Sequence, residues 1–308
     1  MPRVSLFDLQ VNGFAGADFQ RPELSQVELR HAADALHAHE TRRILLTLIS
    51  AEPEALCRQF ERIERFRKGD ALIAETVCGY HLEGPFLNSA DGFRGAHPAV
   101  QRAPDVAVFA KMQDAAGGNI RLLTLAPEWP GSAEFIAEVV RRGVVVSLGH
   151  TDASEAQIDD AIRAGASLCT HLGNGVPQLL PRHNNIVQRL LARDELTACL
   201  IPDGVHLPPF ALRNFFRAKP PGKVILTTDA MAAAAAPPGR YTLGTPEVES
   251  RDGAVREPGC THLAGSALTP ERGVTNAAEW LGISTDEART MFSTRAAALF
   301  GITLPPLA

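Results

Sequence analysis

The sequence has few cysteines, no excess of basic residues and no apolar stretch of membrane-spanning length at its start. Five cysteines are scattered among 308 residues without a CxxC pair, which argues against a disulfide scaffold and favours a reducing compartment. A formal net charge of −5 gives no basic footprint for nucleic acid or for an anionic membrane surface. The first residues resemble neither a signal peptide nor a membrane span. We therefore expect a cytoplasmic protein without nucleic-acid or membrane partners.

Short apolar runs alternate regularly with longer amphipathic stretches, a pattern typical of parallel strands joined by helices. Eight of these runs are predicted strands: residues 4–11, 44–49, 76–82, 120–125, 144–148, 166–169, 197–201 and 224–228. A hydrophobic fraction of 45% is enough for a sizeable core. We predict an α/β fold, a single (β/α)8 barrel over residues 1–308. The active site of such a barrel lies at the carboxyl ends of its strands.

Four polar residues stand at the ends of predicted strands, namely Glu83, His150, His171 and Asp229. A lone histidine is more often structural, but two at successive strand ends, with carboxylates at two others, favour a metal centre. Imidazole and carboxylate suit Zn²⁺ or Fe²⁺. Three protein ligands would leave one position open for water, and a fourth group, Asp229, could move the proton of that water. The alternative for Asp229 is a helix N-cap.

Seven short segments then occur in a specific order: HLEGPF at 81–86, GAHP at 95–98, GHT at 149–151, THL at 170–172, DGVH at 203–206, TDAM at 228–231 and LAGSA at 263–267. Together they resemble the N-acetylglucosamine-6-phosphate deacetylase family of the amidohydrolase superfamily, from about residue 7 to residue 302. The resemblance implies a metal-dependent hydrolase that removes the acetyl group from N-acetylglucosamine 6-phosphate. It assigns Glu83, His150 and His171 as metal ligands and Asp229 as the general acid and base.

The resemblance also implies a single divalent metal, because Gln10 and Asn12 stand where many amidohydrolases have a second pair of ligands. Amide side chains are poor ligands for a transition metal. We expect Zn²⁺, with Fe²⁺ as the alternative. Gln10 and Asn12 would otherwise be plain polar lining of the barrel mouth.

Substrate contacts come from the same resemblance. It assigns His97 to the substrate carbonyl, His206 to the sugar, Asn174 and its neighbour Gly175 to the phosphorylated end, and Arg182 to the phosphate across a homodimer interface. Guanidinium suits phosphate because it donates paired hydrogen bonds. Arg182 could instead be a solvated loop cation, and His97 and His206 could be structural. We interpret His81, His183 and His262 as structural.

The chain departs from the family pattern in two places. The family usually reads HLFNAM after the sixth strand, whereas residues 171–176 here read HLGNGV, which changes the pocket wall. We also expect most or all of the family's small β-sandwich to be missing. Two alternatives therefore stay open: a related amidohydrolase acting on another N-acyl amino sugar or cyclic amide, and an inactive homologue that binds a sugar phosphate.

Overall fold

A computed structural model describes residues 3–260 and 262–307. Its centre is an eight-stranded parallel sheet in which each strand pairs with the next along the chain. The strands are β1 (Leu6–Val11), β4 (Thr41–Ile49), β5 (Val77–Glu83), β6 (Ile120–Leu125), β7 (Val145–Leu148), β8 (Leu168–Cys169), β9 (Thr197–Leu200) and β10 (Val224–Leu226). Two short strands, β2 (Gly13–Phe14) and β3 (Ala17–Asp18), form a hairpin after β1.

The first and last strands of the sheet meet, so that the sheet is nearly closed. Val11 forms a parallel bridge with Ala230. Below it the buried Asp8 carboxylate accepts hydrogen bonds from the Thr227 hydroxyl at 2.6 Å and the Thr228 hydroxyl at 2.5 Å. These contacts join the two edges of the sheet, and the predicted (β/α)8 barrel is confirmed.

Helices surround the barrel and follow its strands in turn. They are α1 (Gln26–Ala38), α2 (Pro53–Gly69), α3 (Ala71–Thr76), α4 (Val106–Ala115), α5 (Ser132–Arg141), α6 (Glu155–Arg163), α7 (Ile186–Leu191), α8 (Pro209–Ala218), α9 (Pro270–Leu281), α10 (Thr285–Met291) and α11 (Thr294–Ala298). Capping boxes begin α1 at Ser25 and α6 at Ser154, which satisfies otherwise unpaired amide groups. In the part of the chain that the structure describes, no helix combines the length and the apolar character that a membrane span requires.

The amino-terminal end of the barrel is closed by the segment that contains α11. Ala296, Ala297 and Phe300 pack against the inward-facing residues of the lower strand layer. The rings of Phe7 and Phe300 meet edge to face with centroids 5.8 Å apart, a favourable arrangement for aromatic pairs. The described residues therefore fill the interior at this end, and a cavity lies at the carboxyl ends of the strands.

A second, antiparallel sheet lies beside the open end. It consists of β11 (Gly239–Thr242), β12 (Glu247–Arg251), β13 (Ala254–Arg256) and β14 (Leu263–Ser266). Val248 and Val255 of this sheet share a buried cluster with Met231 and Ala232, which follow β10. The sequence analysis did not predict these strands. They cover the alanine-rich segment after β10 and add a wall to the barrel mouth.

Candidate metal-dependent active site

The four residues predicted at strand ends converge at the open end of the barrel. Glu83 is the last residue of β5, and His150, His171 and Asp229 follow β7, β8 and β10. The latter three have left-handed backbone angles, with φ of 52°, 26° and 53°. Such angles are uncommon outside glycine and cost of order 1–3 kcal/mol each, and they gather at functional sites. The sharp turns aim the side chains over the barrel axis.

Glu83, His150 and His171 form a tight triangle of potential metal-binding atoms. Glu83 Oε1 lies 3.0 Å from His171 Nε2 and 3.3 Å from His150 Nε2, and the two imidazole nitrogens are 3.2 Å apart. A tetrahedral zinc site with bonds of about 2.05 Å has ligand atoms about 3.4 Å apart. All three side chains are buried. Their spacing and chemistry therefore fit a divalent cation.

The orientation of His150 supports the same interpretation. Its Nδ1 lies 2.8 Å from the Phe93 carbonyl oxygen, which can only accept, so Nδ1 carries the proton and Nε2 presents its lone pair. Metal-binding histidines are commonly oriented in this way by a carbonyl behind the ring. Gly175 packs against the same ring, and a Cβ added there would lie 2.7 Å from His150 Nδ1.

The charge states of the triangle follow from burial and from its own contacts. Burial raises the pKa of Glu83, but the adjacent His150 and His171 imidazoles outweigh it and hold that pKa well below its usual range. Burial lowers the pKa of His171, but its bond to the Glu83 carboxylate reverses the shift and raises it. The cluster therefore keeps an ionised carboxylate at its centre, which favours bound positive charge.

A hydrogen-bonded chain lies inside the barrel directly below the triangle. His81 Nε2 is 2.7 Å from the Thr124 hydroxyl, which is 2.7 Å from that of Thr170; the Thr170 hydroxyl is 2.6 Å from that of Ser147. These residues lie on or directly after β5, β6, β7 and β8. This series of hydrogen bonds links the strands that position Glu83, His150 and His171. Burial lowers the pKa of His81 to about 4, so this histidine is neutral.

Asp229 lies beside the triangle and is held by the end of β1. Asn12 Nδ2 donates to Asp229 Oδ1 at 2.7 Å. Burial, together with the charge of Glu83, raises the pKa of Asp229 to about 7. A carboxyl group whose pKa is near neutrality suits proton transfer in both directions.

Gln10 and Asn12 act as hydrogen-bond donors to the two carboxylates. Gln10 Nε2 donates to Glu83 Oε2 at 3.1 Å, and Asn12 donates to Asp229 as described. The carbonyl oxygens of both amides are buried without a partner among the described residues. Each amide therefore directs its N–H groups at one of the two carboxylates.

His97 adds a donor rather than a fourth ligand. Its Nδ1 accepts the Ser50 backbone N–H at 3.2 Å and lies 2.9 Å from the Ser50 hydroxyl, so the proton of the neutral ring is on Nε2. That nitrogen lies 3.8 Å from Glu83 Oε2. Burial and the nearby His150 lower the pKa of His97 to about 3. A neutral Nε2–H group at this place can donate to a substrate oxygen.

A cavity of about 980 Å³ opens above these groups. It is lined by most of the residues that the sequence pointed to, namely Asn12, Glu83, His97, His150, His171, Asn174, Gly175, His206 and Asp229. His206 is fixed by the Asp203 carboxylate, 2.6 Å from its Nδ1. Arg182 is exposed on a loop and lies outside the described lining.

Two parts of the cavity were missed by the sequence analysis. Arg94 lines the wall and donates to the His97 carbonyl at 2.6 Å; its position three residues before His97 was the available signal. Leu243, Glu257 and His262, from the antiparallel sheet and its loops, form another part of the wall. His262 was interpreted as structural, and its place at the cavity was not anticipated.

The barrel and the Glu-His-His-Asp arrangement define a hydrolase of the amidohydrolase class. The N-acetylglucosamine-6-phosphate deacetylase of Bacillus subtilis (strain 168) is 32% identical over 300 residues, spanning 96% of this chain and 74% of the relative. The N-acetylgalactosamine-6-phosphate deacetylase of Escherichia coli O157:H7 is 31% identical over 301 residues, spanning 96% and 77%. No protein-family model matches the chain.

A solved structure indicates the same family as these relatives. A mutant N-acetyl-D-glucosamine-6-phosphate deacetylase from Mycobacterium smegmatis, in complex with N-acetyl-D-glucosamine-6-phosphate, superimposes with a TM-score of 0.87 at 31% identity, covering 99% of this chain and 79% of that one. The chain belongs to the N-acetylglucosamine-6-phosphate deacetylase family.

Proposed function

We propose that this protein hydrolyses the acetamide group of N-acetylglucosamine 6-phosphate, giving acetate and glucosamine 6-phosphate, with one divalent metal ion. The observation that carries the proposal is the triangle of Glu83, His150 and His171 with the Asp229 carboxylate beside it. The relatives supply the substrate, since their names describe this activity. Zn²⁺ is the preferred ion, and Fe²⁺ would suit the same ligands.

When bound, the cation would act as a Lewis acid that polarises the acetamide carbonyl and lowers the pKa of water. Asp229 takes the proton of the attacking water and later gives it to the departing amine. Its pKa near 7 allows both steps. His97 donates its Nε2 proton to the carbonyl oxygen as negative charge develops there, a contribution of about 3 kcal/mol in comparable sites.

The remaining predicted residues orient the sugar phosphate. His206, which Asp203 holds at 2.6 Å, is suited to a sugar hydroxyl. Asn174 and Gly175 line the cavity between the metal centre and the outside and are proposed to contact the phosphorylated end. The exposure of Arg182 outside its own cavity supports a homodimer in which it reaches the partner's phosphate. All five cysteines are free, which is consistent with a cytoplasmic location.

The cavity wall at Gly173 departs from the family pattern, which leaves a second substrate open. This residue has φ of 95°, and an added Cβ would lie 2.8 Å from Phe215 Cε2. The ring of Phe215 thus stands where a side chain at this position would begin. Because the N-acetylgalactosamine-6-phosphate deacetylase of Escherichia coli O157:H7 is 31% identical to this chain, N-acetylgalactosamine 6-phosphate is the alternative substrate.

The test is acetate release by zinc-loaded protein, with chelated protein and Asp229→Asn as controls. The proposal requires turnover of N-acetylglucosamine 6-phosphate that both controls abolish. Faster turnover of N-acetylgalactosamine 6-phosphate would transfer the assignment to that sugar. Binding of either sugar phosphate to metal-loaded protein without acetate release would identify an inactive homologue and overturn the proposal.

A further inference from the structure

Three metal-binding side chains of different types converge at the rim of the cavity, outside the Glu83 triangle. Glu257, Cys260 and His262 belong to the connection between β13 and β14. His262 Nε2 lies 3.5 Å from Glu257 Oε2, and Cys260 Sγ lies 4.0 Å from the same oxygen. One potential ligand atom from each side chain lies within 4.8 Å of the other two. A turn in which the Cys260 N–H donates to the Glu257 carbonyl at 3.0 Å brings two of them together.

Contacts within the cluster do not account for this convergence. A thiol 4.0 Å from a carboxylate is at best a weak hydrogen bond. An exposed ion pair between His262 and Glu257 would add roughly 0–1 kcal/mol. Among the described residues, no other side chain hydrogen-bonds to any of the three. The free donor atoms are therefore available to an external ligand.

Thiolate, imidazole and carboxylate together favour zinc among the common divalent ions. In tetrahedral zinc coordination a sulfur and an oxygen ligand lie about 3.6 Å apart, and a nitrogen and an oxygen ligand about 3.4 Å apart. The observed 4.0 Å and 3.5 Å differ from these values by a few tenths of an ångström. Exposed side chains can make such adjustments by small rotations.

We propose that Glu257, Cys260 and His262 form a second binding site for Zn²⁺ or a related thiophilic cation, separate from the Glu83 triangle. Binding would replace the thiol proton, which is released to solvent, by the metal ion. The three side chains would occupy three positions of a tetrahedron and leave one open. Because Glu257 and His262 line the cavity, an ion held there would add positive charge to the rim through which a substrate enters.

The two sites can be distinguished because sulfur is a donor only in the proposed one. Co²⁺ bound to a thiolate absorbs in the near ultraviolet through charge transfer from sulfur, whereas the Glu83 triangle has no sulfur. Titration of reduced, metal-free protein with Co²⁺ should give this absorption and a total of two bound equivalents, by elemental analysis, after exchange into buffer.

Cys260→Ser should abolish the sulfur absorption and leave one bound equivalent. His262→Ala should weaken binding of the second equivalent at least tenfold while leaving the first unchanged. Cys57→Ser is the matched control, because Cys57 is a partly exposed thiol elsewhere; it should behave like wild type. A wild-type protein that binds Co²⁺ without the sulfur absorption, or a sulfur absorption that persists in Cys260→Ser, would overturn the proposal. Neither outcome bears on acetate release, so the two proposals fail independently.

Discussion

The Asn12 side-chain amide donates a hydrogen bond to the Asp229 carboxylate across 2.7 Å, joining the end of the first barrel strand to the residue that follows the eighth. The bond stabilises the ionised carboxylate and so opposes the increase in pKa that burial produces. Asn12 thereby favours the ionised form of Asp229.

Replacement of Asn12 by alanine should move the acid limb of the activity profile to higher pH. Burial already raises the pKa of Asp229 to about 7, and loss of the donor removes an interaction that lowers it. Since the carboxylate must be ionised to accept a proton, activity falls as pH drops through this pKa. In a plot of log(kcat/KM) against pH, we expect the acid limb to move up by about one pH unit. An unchanged limb at equal metal content would contradict the role given to Asn12.

Replacement of Gly175 by alanine should weaken metal binding. The new Cβ would lie 2.7 Å from His150 Nδ1, so the ring must shift away from its position. We expect metal affinity, measured by competition with a chelator, to fall about tenfold or more. Gly118→Ala is the control, because Gly118 also has a left-handed φ but an added Cβ there meets nothing within 4 Å. It should lose about 1 kcal/mol of stability and keep its metal affinity; equal affinities in both variants would count against the contact.

Replacement of Phe300 by alanine should lower stability without changing the chemistry. Phe300 is buried against Phe7 at the closed end of the barrel, at the opposite end from Glu83, His150 and His171. We expect a loss of about 3–5 kcal/mol in the free energy of unfolding by urea and an unchanged kcat for folded protein. Phe210, which is 67% exposed, gives the matched control: Phe210→Ala should change stability by no more than about 0.5 kcal/mol.

The proposed reach of Arg182 into a second subunit can be tested by mixing two inactive variants. Arg182→Ala lacks the phosphate contact, and Asp229→Asn lacks the proton acceptor. A mixed dimer would contain one complete site, so random exchange of subunits should restore about a quarter of wild-type activity. If Arg182 served its own subunit, no mixed site would be complete and the mixture would stay inactive.

The barrel and the convergence of Glu83, His150 and His171 were predictable because their signals are local. Apolar runs mark the strands, and Glu83, His150 and His171 interrupt that pattern where the runs end. The hydrogen bonds of the site could not be predicted from the sequence. Nothing in the spacing indicates that Gln10 donates to Glu83 and Asn12 to Asp229. The left-handed backbone angles of the two histidines could not be predicted either, because in a sequence such angles are normally indicated only by glycine.

The antiparallel sheet escaped prediction for a different reason. Strand β12 alternates between exposed and buried positions, but its inward residues are Val248 and Ser250, so the apolar signal reduces to one side chain. Its neighbours β11 and β13 are four and three residues long. Such strands depend on tertiary packing against the segment after β10, which no local pattern records.

The aromatic closure at Phe7 and Phe300 also bears on how this chain can change over evolutionary time. Because the packing that seals the barrel lies at one end and the chemistry at the other, substitutions in the loops around the mouth leave that seal intact. Exposed positions of these loops can therefore change in acyl or sugar specificity with little effect on the packing that closes the barrel. Drift near Phe300, in contrast, would be removed by selection for folding before it reached catalysis.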